Sequence, residues 1–120
     1  MATKKEYRVS GTAGGRGQLV IDSKGGQYVV NKQEIALAGA VDIINPLTEI
    51  TTVGAIDLTL ADGTEGQTKM IVMVVDGGDA TLTPASLAVG TTLTFDNSDT
   101  AYLLFTQGAW YLLGGTATAG

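Results

Sequence analysis

Three short stretches, DGTEG, DGGD and DNSD, each carry a pair of acids: Asp62 and Glu65, Asp76 and Asp79, Asp96 and Asp99. Several turn oxygens held close together are the ligand chemistry that calcium uses. Two carboxyls facing each other across a cleft can also drive glycoside hydrolysis. Neither pattern is completed here. The acids fit no twelve-residue calcium loop and no glycine-rich nonapeptide. A sugar hydrolase would be expected to offer several aromatics for stacking. Of the seven aromatics here, Tyr102, Phe105, Trp110 and Tyr111 crowd into one terminal segment. Core or subunit contact is the expected role for such a segment. Asp, Asn and Gly are also the ordinary residues of tight turns, since short polar side chains bond the local backbone. The turn reading is preferred, and no metal or cofactor is expected.

Other chemistry is scarcer still. The chain has no histidine and no cysteine, which removes Ser-His-Asp and Cys-His mechanisms, disulfides and thiolate metal sites together. GTAGGRGQ (Gly11 to Gln18) has four glycines, but lacks the Gly-Lys-Ser/Thr ending of a phosphate loop. No strand precedes it and no helical pattern follows, so it is expected to be a hinge. The chain is not expected to be an enzyme.

The elements that would position these turns are strands. Seventeen glycines accompany many threonines, and apolar runs last only four to seven residues, lengths that suit strands. Gln18 to Asp22 and Gln27 to Val30 flank Ser23-Lys24-Gly25-Gly26 as a hairpin. Glu34 to Pro46 places Ile35, Leu37, Val41 and Ile43 at odd positions, a period of two, so a strand bent at Gly39 is predicted over a helix. Ile56, Leu58 and Leu60 alternate with polar or small residues, as do Leu82, Leu93 and Phe95. Lys69 to Val75 (KMIVMVV) does not alternate, and is expected to be central and covered on both faces. Tyr102 to Phe105 and Trp110 to Leu113 form a last hairpin around Thr106-Gln107-Gly108. The Asp-Gly turns keep no fixed period, which excludes a regular solenoid.

With 120 residues, one domain is expected. The fold class is all-β: a β-sandwich or barrel-like body of short antiparallel strands with an extended N-terminal arm. Residues 1–17 form the arm, 18–113 the body, and 114–120 a flexible tail or a strand exchanged with a neighbour. The start of the chain, Met1 to Ser10, has no apolar run of the kind a signal peptide needs, and no segment is long enough to span a membrane. Residues 1–33 hold six basic side chains (Lys4, Lys5, Arg8, Arg16, Lys24, Lys32) against two acids, whereas 34–120 hold Lys69 alone against ten acids. A basic arm on an acidic body suits contact with an acidic protein surface. Nucleic acid is a weak alternative, because the body would repel phosphates.

Leu58 to Gly115 resembles a β-rich module of tailed-bacteriophage virion proteins, especially marine and cyanobacterial ones. The likeness rests on ADGTEGQ, DGGDATLTP, GTTLTFD and the closing GAWYLLGG, a string of turn and strand signatures over about half the chain. It implies a particle component on the outer capsid surface: a capsid decoration (cement) protein, commonly a homotrimer, with the major capsid protein as partner. Length and the initial Met1 favour decoration over a tail fibre. Lys4, Lys5, Arg8 and Arg16 would be the capsid-contact arm, and Tyr102, Phe105, Trp110 and Tyr111 oligomer or core contacts. A tail-fibre or head-fibre role, or a host-glycan-binding module with Trp110 and Tyr111 facing the sugar, is the alternative expectation. No membrane partner is expected.

Overall fold

A computed structural model describes residues 31–120 in full and, before them, the backbone of two short strands. These are β1 (Leu19–Ile21) and β2 (Gln27–Val29), which pair antiparallel with Val20 opposite Tyr28. The antiparallel pairing expected of the hairpin is therefore present, and its turn, Ser23-Lys24-Gly25-Gly26, lies outside the described residues. The arm residues Lys4, Lys5, Arg8 and Arg16 lie outside the described residues.

The body is a sandwich of two five-stranded sheets. One sheet holds β3 (Gln33–Ile35), β5 (Leu47–Thr51), β7 (Thr68–Val75), β10 (Thr100–Thr106) and β11 (Ala109–Gly115). The other holds β4 (Gly39–Val41), β6 (Ile56–Leu60), β8 (Ala80–Pro84), β9 (Leu93–Phe95) and β12 (Thr118–Ala119). From β3 to β8 the chain crosses to the opposite sheet at every connection. Each strand therefore returns beside its predecessor in the same direction, and β3–β5–β7 and β4–β6–β8 are parallel. After β8 the winding stops: β8–β9, β9–β12, β7–β10 and β10–β11 are antiparallel.

The body is all-β as expected, but its sheets are mixed and not wholly antiparallel. Alternation of apolar residues records which face is buried and carries no information on strand direction. No regular repeat exists, because the coils are unequal: Gln33 pairs with Thr48, and Thr48 with the more distant Ile71. The predicted bend at Gly39 is the crossing itself, with β3 on one side and β4 on the other and Gly39 at φ 154°.

The core lies between the sheets. Leu58, Leu60, Ile71, Met73, Leu82, Leu93, Phe95 and Leu103 project into it and are fully buried. Two expectations are corrected here. β7 is central in its sheet, but only Lys69, Ile71 and Met73 point inward, while Met70 and Val74 are exposed. A long apolar strand is thus covered on one face only. Residues 114–120, expected to be a flexible tail or an exchanged strand, pair here within their own chain. Gly114 and Gly115 end β11, and β12 pairs with β9 of its own chain, with Gly120 N donating to Thr92 O at 2.9 Å.

The closing hairpin turns through Gln107 and Gly108, at φ 53° and 79°. Both central residues with positive φ define the type I′ turn, whose twist suits a tight antiparallel pair. The DGG step is explained by contact: a Cβ on Gly77 or Gly78 would collide with the backbone of residues 52–55. Thr52 seals the same junction, donating to Gly78 O at 2.6 Å and accepting from Gly77 N at 2.9 Å.

Candidate functional site

Period-two alternation splits the four aromatics of the last hairpin between two destinies. Phe105 and Trp110 point inward and meet edge to face, with ring centroids 5.2 Å apart. Trp110 is fully buried, and its Nε1 donates to Ala61 O at 2.9 Å. Tyr102 and Tyr111 point outward and remain about two-fifths exposed. The glycan-facing alternative placed Trp110 at the surface; the indole is instead part of the core.

The outward side chains of β7, β10 and β11 make a continuous face. Tyr102 stands opposite Met70 in the β10–β7 register, and Leu47 of β5 stands opposite Met70 on its other side. Val72, Leu104 and Leu113 extend the face, and at a register slip Val74 and Val75 are both exposed. Threonines and Ala109 fill the remaining outward positions, and none of the three strands contributes a charge to this face. Charges begin on the neighbouring strands. Glu34 and Glu49 are directly opposed, and Lys32 Nζ lies 3.0 Å from Glu49 and 4.0 Å from Glu34. The hydrogen bond with Glu49 raises the Lys32 pKa.

The other sheet presents the opposite chemistry. Asp57, Thr81, Thr94 and Thr118 are cross-strand neighbours, and Thr59 pairs with Thr83. All six point away from the core, giving a hydroxyl-rich surface that water can solvate. One sheet is thus dressed for solvent and the other is not.

The acids fall at the strand ends. Asp76, Asp79 and Asp96 bring carboxylate oxygens within 4.8 Å of one another, a grouping across two turns that the sequence pairs did not anticipate. Such oxygens are suitable for a hard cation, yet they already serve the turns. Asp76 accepts from Gly78 N, Asp96 from Asn97 N, and Asp99 from Asp96 N. A hydrogen bond with Asp96 raises the Asp76 pKa, helped by desolvation, while the Asn97 amide and that same contact lower Asp96. Glu65 lies elsewhere. It accepts from the Thr106 hydroxyl and from Gln107 N at 3.0 Å, which pins the DGTEG loop to the last hairpin and lowers its pKa. Asp62 is not brought into either group.

Lys69 is the residue that sequence reasoning missed. It occupies an inward position of β7, and its Nζ donates to Asn45 O at 2.6 Å and lies 3.5 Å from Asp42 Oδ1. Burial lowers its pKa to about 8, with Asp42 opposing the shift. Desolvation is the largest influence on Asp42 and pushes its pKa up. Hydrogen bonds from Asn45 and Ile44 and the Lys69 charge outweigh that push, and the net direction is down. Gln33 and Gln67 hold the same loop: Asp42 N donates to Gln33 Oε1, and Gln67 Nε2 to Ile43 O. The cluster is a brace for the loop between β4 and β5. Beside it runs an open groove of about 660 Å³, lined by Ile43, Ile44, Leu60, Ala61 and Pro84 among others, with no aromatic in its wall.

The fold defines a two-sheet, mixed-strand β-sandwich. No family model and no curated protein matches the chain. Among solved structures it is similar to a chain described as "Structure of a chaperone-substrate complex", at 18% identity and a TM-score of 0.49. The match covers 82% of this chain and 20% of that one, so this chain spans about a fifth of its neighbour's length. At that level the likeness assigns no role.

Proposed function

We propose that this chain is a non-enzymatic structural protein of a tailed-phage virion, a capsid decoration protein that seats on the outer shell as a trimer. The observation that carries the structural part is the uncharged apolar face of β7, β10 and β11. A body whose described residues leave such a face open is suited to assembly. The virion part is supported by the resemblance of Leu58 to Gly115 to phage β-rich modules. The basic run of Lys4, Lys5, Arg8 and Arg16 ahead of an acidic body supports attachment through the arm. Binding spread over several shell subunits would raise effective affinity and resist internal pressure.

The test is co-sedimentation of the purified chain with undecorated capsids of the phage that encodes it. Saturable binding that is lost on deleting residues 2–16, with the circular-dichroism melt of the body unchanged, is the expected result. No binding, or binding that ignores the deletion, rejects the arm-anchored decoration role.

A further inference from the structure

We infer that the outer face of β7, β10 and β11 is the contact surface between copies of this chain. The inference rests on the assembly reading above and names its surface.

Exposure comes first. Met70, Val74, Tyr102, Tyr111 and Leu113 are each between 37% and 53% exposed and share one side of three adjacent strands. Together they offer on the order of 450 Å² of apolar surface, a patch of the size that on soluble proteins is often functional. A stable interface removes about 800 Å² per partner. The interleaved threonines, Val72, Leu104 and the rim at Leu47 extend the patch toward that figure.

Charge then selects the occupant. Residues 34–120 carry ten acids and one lysine, so two copies approaching through most surfaces set acid against acid, which suppresses association. Across β7, β10 and β11 no acid points outward. The acid nearest the face is Glu49 of β5, opposite Val72 at the rim and paired with Lys32 at 3.0 Å; Glu65 lies by the hairpin turn and Asp76, Asp79 and Asp96 by the opposite turns. Copies meeting here around a rotation axis bury apolar surface and keep their carboxylates at the periphery. A basic partner would find carboxylates only at the β5 and β3 rim, Glu49 and Glu34, where Lys32 already lies beside both. An apolar patch placed beside a rotation axis lets an assembly close, isologously in a dimer and head to tail in a trimer.

The test is light scattering after size exclusion on the full chain over a hundredfold concentration range, for wild type and single variants. Met70→Glu and Tyr102→Glu place a charge at the centre of the face; Thr83→Glu places one on the solvated sheet. The expected result is a wild-type multimer whose dissociation constant rises at least a hundredfold with either central variant and stays within threefold for Thr83→Glu. Should a central variant lose its folded circular-dichroism signal, Leu113→Glu, at the register slip by the sheet edge, gives the same reading. A monomeric wild type at every concentration overturns the inference, as does a multimer indifferent to the face variants. The capsid assay separates the two readings. A face-dependent multimer that ignores capsids removes only the virion role, whereas a monomer that binds them removes only this surface.

Discussion

The Lys69 ammonium is sealed inside the sandwich and donates to the Asn45 carbonyl at 2.6 Å, joining the inner face of β7 to the loop that precedes β5. Its folded pKa of about 8 lies below the ordinary value of 10.5. Between those values the unfolded chain holds more protons than the folded one, so stability rises with pH through that window. The rise amounts to at most about 3 kcal/mol, since one pKa unit corresponds to about 1.4 kcal/mol. Lys69→Met removes that rise. It also orphans the Asn45 carbonyl, and at neutral pH is expected to cost about 1–2 kcal/mol. Urea melts of both proteins from pH 7 to 10.5 check this. Tyrosine ionisation cancels in the difference, and parallel curves would refute the assignment.

The DGG step predicts a sharp contrast between glycines. A Cβ at Gly77 meets Thr52 O and the Val53 backbone, which cannot yield as a flexible side chain could. Gly77→Ala should cost about 2–3 kcal/mol by overpacking. Gly66, at φ 87°, has open space around its missing Cβ. Gly66→Ala should cost only the left-handed backbone strain, about 1–2 kcal/mol. Thermal melts of the two variants, ranked against wild type, decide it.

These contrasts mark where the sequence was legible. Alternation at Ile56, Leu58 and Leu60 and at Leu93 and Phe95 identified buried faces, because a half-buried strand writes its two environments into neighbouring residues. The last hairpin was readable from Gln107-Gly108. Strand direction was not, since β6 and β8 would show the same alternation whether parallel or antiparallel. The open face was hidden for a related reason. Met70, Val72 and Val74 look like the covered side of a central strand, and only three-dimensional placement shows that no described segment lies over them. Lys69 was invisible because its partners, Asn45 and Asp42, are distant in the chain. The grouping of Asp96 with Asp76 and Asp79 depends in the same way on where two turns end up.

Trp110 offers a spectroscopic check, being the sole tryptophan. Buried against Phe105 and bonded to Ala61 O, it should emit at the blue end of the tryptophan range and resist aqueous quenchers. Added polysaccharide should leave its emission unchanged. A concentration-dependent shift with a glycan would revive the glycan-binding alternative. Trp110→Phe removes the indole donor and part of the packed volume, and is expected to cost about 2 kcal/mol.

Asp76 and Asp96 make the last prediction, and its sign follows from their opposite shifts. Asp76 is raised because the folded state places its carboxyl against Asp96, and the protonated form is the favoured one there. A folded carboxyl that holds its proton more tightly than the unfolded one stabilises at low pH, and that contribution is lost as pH rises through its folded pKa. Asp96 acts oppositely: its lowered pKa gives stability above the ordinary aspartate range that is lost on acidification. Asp76→Asn keeps an oxygen for Gly78 N, offers an amide to Asp96 and removes one of two facing charges. It should therefore raise the melting temperature at pH 7 by a few degrees at most, with the gain shrinking as pH falls toward the aspartate range. Asp96→Asn should instead lower the melting temperature at neutral pH, because it replaces the carboxylate that accepts the Asn97 amide with a weaker acceptor. Melting curves of both variants between pH 3 and 7 separate the two roles. A loss of stability at pH 7 in Asp76→Asn would mean that the Asp76 charge itself supports the turn.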